Sequence, residues 1–414
     1  VVGGANTGVK IRIDMKLDEA LKDEMRTFNA KEVLVEMKDL SGSMLDLAYS
    51  AILYSNPEIA KEVFKLEETM HSLLYKLRIS IMLGVRNLED AIEFAGVLQI
   101  ASAAEKISNA AGDIAKIATS VNITEYLDRE DFEEAVVNVR IKPTSVLKDK
   151  TLKGLKLETE AGMRVLAIKR GSQWIYSPDK DERLQENDLV ITSGPTEGIP
   201  TFCKMATGKE YKVREKEGLE RRRITEEIAD LIADMKNISE LMVGLSYSAV
   251  TFYSKEIAQE VKDLEDSMDR MKEELEILVI EAARGITKKM SFDELRGLLH
   301  VAVSAEVISD AAYEIADVVL RDIHLHPVFL ASIEESDEII LKMEVKNEDI
   351  VEKTLKELKI ETQTGMFILA IRRKDGKWIY NPSGSVELRN GDVLIMRGPR
   401  EGEDIMRAIC GDVS

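Results

Sequence analysis

Two cysteines, Cys203 and Cys410, are all that 414 residues contain. That excludes a disulfide framework and points to a reducing, cytoplasmic setting. Aromatic residues reach only 5%, with two Trp and eight Pro. A chain poor in these but rich in Glu, Lys, Leu and Ala is helix-rich. No run approaches the roughly 18–20 uninterrupted apolar residues of a membrane helix. The most apolar stretch, Leu73 to Val85, carries Lys76 and Arg78. The first ten residues lack a signal-peptide pattern, so no direct membrane insertion is expected. Positive charge is in deficit: the formal net charge of -19 repels nucleic acid and anionic membrane surfaces and favours cations and basic partners. Catalytic signatures are missing too. There is no G-x-S-x-G, P-loop, H-E-x-x-H or C-x-x-C, and no enzyme is expected. No G-x-G-x-x-G opens a strand–turn–helix. The cluster Gly3 to Gly8 follows no strand, so neither NAD nor ATP is expected.

What is present is a duplication. Met37 through Leu77 runs parallel to Met235 through Leu275 without a gap, so that Tyr49-Ser50-Ala51 matches Tyr247-Ser248-Ala249. Ser102 to Ala118 then matches Val303 to Val319, Lys150-Thr151-Leu152 matches Lys353-Thr354-Leu355, and Trp174-Ile175-Tyr176 matches Trp378-Ile379-Tyr380. Each copy begins with helices. Ile257, Val261, Leu264, Met268, Met271 and Leu275 step by fours and threes, as do Ile59, Val63, Leu66, Met70, Leu73 and Leu77. That spacing is the seam of a long bundled helix. A following helix carries Val301, Ala305, Ile308, Ala312, Ile315 and Val319, and a preceding one (about 33–55 and 226–252) completes a three-helix bundle.

The period then changes. Val165-Leu166-Ala167-Ile168, Phe367 to Ile371, Asp188 to Ile191 and Asp392 to Ile395 read as short buried strands, the last after the turn signal Asn390-Gly391. Gly194-Pro195 and Gly398-Pro399 end strands, with short helices expected after them. The fold class is therefore mixed α and α+β: two three-helix bundles alternating with two small α/β modules. The chain divides into a lead segment 1–30, a first bundle 31–127, a first module 136–207, a second bundle 215–325 and a second module 338–412. The run Arg221-Arg222-Arg223 reads as a solvated helix start beside Glu220, Glu226 and Glu227. The two modules should pair about a pseudo-two-fold axis, because duplication supplies both halves of a dimer. The bundles should pack side by side.

The helical parts resemble the PhoU domain, a family that carries Glu-x-x-x-Asp on two helices of each bundle. Here Glu265-x-x-x-Asp269 and Glu306-x-x-x-Asp310 match it. KTLKGLKLETEAGMRVLAIKR with DLVITSGP, and KTLKELKIETQTGMFILAIRR with DVLIMRGP, resemble the TrkA C-terminal (RCK-C) domain. The combination resembles tandem-repeat regulators of potassium and other cation transport. It implies a soluble cytoplasmic regulator, peripheral to a membrane cation transporter or channel and homo-oligomeric, acting by ion or ligand binding and domain rearrangement. The alternative is a PhoU-like metal-binding regulator of phosphate transport and signalling. Paired TrkA-C domains hold small ligands in the family, cyclic dinucleotides among them. Glu158, Glu160 and Glu361 would oppose an anion at that border, and a pairing domain with an empty interface is the other reading.

Glu265 and Asp269 share one helix face, and Glu306, Asp310 and Glu314 make a second acidic ladder. Carboxylate oxygens are hard ligands suited to magnesium, calcium, manganese or iron, and the resemblance implies a divalent metal there. A solvated acidic face is the other reading. The first copy offers Glu67 and His71, then Glu105, Asn109 and Asp113, a set with less charge. His71 reads first as a solvent-exposed helix residue and second as a ligand for iron or zinc. His324-Leu325-His326 reads as a loop rather than a chelate, and Trp174 and Trp378 as core or edge packing.

Overall fold

The computed structural model describes residues 29–53, 56–121, 134–171, 173–176, 178, 180–195, 198–209, 223–284, 291–336 and 338–411. The lead segment up to residue 28, and the linker 210–222 with Arg221 and Arg222, lie outside them.

Each bundle has three long helices: α1 (Ala30–Leu53), α2 (Pro57–Gly84) and α3 (Leu88–Ser120) in the first copy. Local chemistry sets the turns between them. Asn56 caps α2, its side chain accepting from the backbone of Glu58 and Ile59, with Pro57 in the first turn, where no N–H is needed. Asn87 caps α3 through the amide of Asp90. After the first module (134–207), the second bundle repeats the pattern as α7 (Arg223–Thr251), α8 (Lys255–Arg284) and α9 (Phe292–Leu320), α9 opening on a capping box between Ser291 and Glu294. The seam residues Ile59, Val63, Met70 and Leu77, with Ile257, Val261, Met268 and Leu275, are buried as their spacing requires.

Helices α3 and α9 bury two faces, one in their own bundle and one against each other. Alanines such as Ala101, Ala104, Ala111, Ala302, Ala305 and Ala312 let the backbones approach. The pair runs antiparallel. Gly96, early in α3, faces Val318 at the end of α9 and Leu325 beyond it, and the Gln99 amide donates to the Glu314 carbonyl at 2.8 Å. A second pair of contacts repeats with exchanged roles. Lys38 sits over the Tyr247 ring at 6.0 Å and Lys236 over the Tyr49 ring at 5.9 Å. The bundles thus form a six-helix body about a pseudo-two-fold axis across the helices.

The first module carries β1 (Glu134–Arg140), α4 (Leu152–Leu155), α5 (Leu157–Ala161), β2 (Arg164–Arg170), β3 (Gln173–Tyr176), β4 (Leu189–Pro195) and α6 (Ile199–Thr207). Its antiparallel sheet has the order β1-β4-β2-β3. After α10 (Pro327–Glu335), the second module repeats this with β5 (Glu338–Glu344), α11 (Leu355–Leu358), α12 (Ile360–Thr364), β6 (Phe367–Arg372), β7 (Trp378–Tyr380), β8 (Val393–Pro399) and α13 (Gly402–Cys410), in the order β5-β8-β6-β7. Both sheets carry a bulge at the same place, after Val165 and after Ile368. Trp174 and Trp378 lie half-buried on the edge strands, and residues 321–326 form a loop.

The modules pair through α5 and α12. Gly162 and Gly365 end these helices at φ +67° and +70°, where a side chain is strained. A Cβ on Gly162 would stand 3.0 Å from the Glu361 carbonyl oxygen, and one on Gly365 3.1 Å from that of Glu158. Two glycines and two carbonyls therefore meet reciprocally, so the modules share the pseudo-two-fold arrangement within one chain.

Candidate functional site

Where the modules meet, against the middle of α1, lies a cavity of about 420 Å³. Its wall takes Gly42 and Ser43 from the bundle, Glu158, Arg164 and Ser193 from the first module, and Glu338, Phe367 and Arg397 from the second. Glu361 also lines it; Glu160 is exposed and does not.

Sequence reading passed over the group at its centre. Glu338 opens β5 and faces Arg397 at 3.4 Å and Arg164 at 3.6 Å. Arg164 also holds Asp46 of α1 at 2.5 Å. Lys38 donates to the Ser336 hydroxyl at 2.7 Å and the Glu338 carbonyl at 2.8 Å. Burial would raise the Glu338 carboxyl, but Arg397, Arg164 and Lys38 outweigh it and hold it at about 2. The chain Asp46–Arg164–Glu338–Arg397 therefore joins the first bundle to both modules through charge-assisted contacts. Glu158 is in the opposite condition. Burial pushes its carboxyl up to about 7 against the pull of Arg164, and Glu401 adds to the rise. The Ser193 hydroxyl is buried without a hydrogen-bond partner.

The register shows how the arginines arose. In the first sheet Arg164 of β2 pairs with Ser193 of β4. In the second, Phe367 of β6 pairs with Arg397 of β8. Each module thus supplies one arginine, but from exchanged strands. Aligning the two copies column by column carries that signal: Arg stands against Phe in one column and Ser against Arg in another.

The bundle carboxylates form the second candidate. In the second copy, Glu265 and Asp269 of α8 come within electrostatic range of Glu306 and Asp310 of α9. Burial, then Asp269 and Asp310, raise the Glu265 carboxyl. Burial, then Glu306 and Asp269, raise Asp310. Lys272 donates to Glu306 at 2.9 Å and relieves part of that repulsion. Glu314 points away to Lys106 of the first bundle at 2.5 Å. Among the described residues no three His, Cys, Asp or Glu side chains are arranged to hold a metal ion.

The first copy differs in kind. Glu67 lies over Gly112, where a Cβ would come within 2.4 Å of its carboxylate oxygen; the equivalent residue in α9 is Tyr313. Burial raises the Glu67 carboxyl, opposed by Lys116 and His71. His71 faces Glu105 at 3.4 Å, Asp113 is held by Lys116 at 2.6 Å, and the Asn109 carbonyl oxygen is buried without a donor.

Two helical bundles with paired acidic helices, alternating with two paired four-stranded modules, define the class, and family comparison agrees. The PhoU domain model matches residues 34–118 and 232–319, and the TrkA-C domain model matches residues 136–207 and 317–411. The chain belongs to the proteins that join PhoU and TrkA-C domains, here each in two copies. A stretch of 102 residues, 24% of the chain, is 32% identical to the Ktr system potassium uptake protein C of Bacillus subtilis and covers 46% of it. The chain thus spans under half the length of that relative. Among solved structures, PhoU from Pseudomonas aeruginosa aligns over 73% of this chain and 99% of its own, at 12% identity and a TM-score of 0.39. The GsuK channel bound to NAD aligns over 68% of this chain and 53% of its own, at 12% identity and a TM-score of 0.18.

Proposed function

We propose that the chain is a regulatory protein of a potassium or other cation transport system, acting on a membrane transporter or channel by binding and domain rearrangement rather than by catalysis. One observation carries this reading. The walls of the cavity are the same side chains that tie three domains together. A ligand or ion that draws on Arg164, Arg397 or Glu338 therefore changes the balance holding both TrkA-C domains to the first PhoU bundle. The partial likeness to a potassium uptake protein supports the choice of transport system. Neither NAD nor ATP belongs to the proposal, because no G-x-G-x-x-G opens a strand–turn–helix in these 414 residues. Assembly as a homo-oligomer does belong to it.

The bundle carboxylates enter as a second, ion-responsive element. To hold a divalent cation such as magnesium, manganese, calcium or iron, Glu265, Asp269, Glu306 and Asp310 would turn toward a common point, and the ion would add to the positive charge that Lys272 now gives to Glu306. The first bundle, with His71 and Asn109 in place of two carboxylates, would hold one less tightly. These acidic faces also favour a second reading, a PhoU-like regulator of phosphate transport and signalling.

Transport measurements separate the two. Cells lacking this chain should show altered rubidium uptake at limiting external potassium, restored by the wild-type chain, with phosphate uptake unchanged. Normal rubidium uptake with altered phosphate uptake would select the second reading and reject the first.

A further inference from the structure

One guanidinium stands among three carboxylates. Arg164 directs Nη2 to Asp46 of α1 at 2.5 Å and Nη1 to Glu338 of β5 at 3.6 Å. Glu158 of α5 is the third. Burial raises its carboxyl, and Arg164 is the strongest charge drawing it down. Asp46 belongs to the first bundle and Glu338 to the second module, whereas Glu158 belongs to the same module as Arg164. What Arg164 gives to Glu158 it takes from a contact between domains.

The second copy lacks this arrangement. Glu361 stands at the place of Glu158, but Phe367 replaces Arg164 and Gly244 replaces Asp46. There the module meets its bundle by shape: a Cβ on Gly244 would lie 2.9 Å from the buried Leu369 side chain. The arginine and its bundle carboxylate are present together in one copy and absent together in the other. At this point the first module is tied by charge and the second is seated by packing.

The charges around Glu158 sharpen the competition. Lys180 attracts it, and Glu401 and Glu338 repel it. Lys180 is also paired with Glu401, which caps α13, at 2.9 Å. Arg397 faces Glu338 at 3.4 Å, and Asp39 of α1 is held by Lys38 at 3.5 Å. Glu361 of α12 adds a carboxylate to the cavity wall, and Lys153 and Lys156 of α4 add two ammonium groups. Glu160 on α5 itself and Lys204 on the adjoining α6 are exposed to solvent.

We propose that Glu158 is a proton switch on the tie that joins the first module to the first bundle and to the second module. With its proton in place, Glu158 leaves Arg164 to Asp46 and Glu338. Once ionised, it draws the guanidinium back into its own module, and both outward bridges weaken. The sign follows from burial. The docked carboxyl is held up at about 7 and returns to its ordinary range when opening admits water. Opening is therefore linked to the loss of one proton and grows easier as pH rises from about 4.5 to about 7. The tie is closed in mild acid and loosened at neutral pH and above. This deepens, and rests on, the reading that these side chains hold the domains together.

A thiol at the seam tests it. Leu166 of β2 is 2% exposed and packs into the core of the bundles; Leu369 is its equivalent in the second module. Leu166→Cys in the full chain is alkylated with iodoacetamide, and each site is resolved by mass spectrometry. Its rate, divided by that of free cysteine at the same pH, should rise about tenfold or more between about pH 5.5 and about pH 8. Leu369→Cys should show no such rise. Neither should Cys203 and Cys410, which lie in the modules' own cores and report unfolding. Adding Glu158→Gln, neutral at every pH, should abolish the rise, and adding Glu160→Gln should keep it. Adding Asp46→Asn should raise the rate already at about pH 5.5. The switch is overturned if Leu166→Cys reacts at one rate throughout, or if Leu369→Cys or Cys203 follows it. It is equally overturned if Glu158→Gln keeps the rise or Glu160→Gln abolishes it. If Asp46→Asn changes nothing, the network is no tie, and the reading of the cavity as the junction of the domains falls too. If Asp46→Asn acts while Glu158→Gln keeps the rise, the switch alone falls.

Discussion

Replacing Glu338 with Gln keeps the shape of the side chain and removes its charge. The two guanidinium groups at 3.4 and 3.6 Å, with Lys38 behind them, are then left facing one another. A carboxyl held at about 2 instead of its ordinary 4.5 is stabilised on folding by about 3 kcal/mol at neutral pH, since each pH unit is worth about 1.4 kcal/mol. The side chain keeps 28% exposure to the cavity, so solvent screening brings the expected loss to about 2–3 kcal/mol. Both Trp residues of the chain sit in the modules, so urea unfolding followed by Trp fluorescence reads the affected region directly. The pH dependence gives a second check. Because the folded pKa is depressed, the stabilisation is complete above pH 4.5 and disappears as pH falls through about 2. The gap between wild type and Glu338→Gln should therefore be full at pH 7, shrink below pH 4.5 and close near pH 2. A gap under about 0.5 kcal/mol at pH 7, or one that stays constant down to pH 3, would refute the reasoning.

Glu158 should behave in the opposite sense. Its folded pKa is raised to about 7, so its charged form is a penalty that is absent near pH 4.5 and complete above about 7. Glu158→Gln should be more stable than wild type at pH 8 by about 1–3 kcal/mol and equal to it near pH 4.5, as chemical denaturation at the two pH values would show. Gly162→Ala should cost about 2 kcal/mol or more, combining left-handed backbone strain with the approach to the Glu361 carbonyl; a thermal midpoint at or above that of wild type would contradict the module pairing described above. Metal analysis of purified wild type and of Asp269→Asn with Asp310→Asn should show a clear drop in bound divalent metal in the double variant, and equal content would remove the second bundle as a metal site.

Much of the architecture was readable because it is local or repeated. Ile257, Val261 and Met268 declare a helix seam by spacing alone, and the paired Trp-Ile-Tyr segments mark equivalent positions, although their place on edge strands was not read from them. The antiparallel pairing of α3 and α9 was not readable, since Ala101 and Ala305 permit close approach in either direction. Nor was the central role of Glu338. A glutamate at the start of a strand ordinarily faces water, and its burial depends on Arg164 and Lys38, which are 174 and 300 residues distant in sequence. The acidic faces were legible as positions, whereas the diversion of Glu314 to Lys106 across the bundle interface follows from tertiary packing.

The exchange of arginines between strands has a consequence for stoichiometry. In a dimer of identical modules, whatever one half contributes the other must repeat, and a ligand on the axis is shared by two chains and can enter either way round. Here one wall offers Arg164 beside Ser193 and the other Phe367 beside Arg397. The cavity therefore has a left and a right. If a ligand binds there as proposed, it has one orientation, and saturation should come at one ligand per chain whatever the number of chains in the assembly.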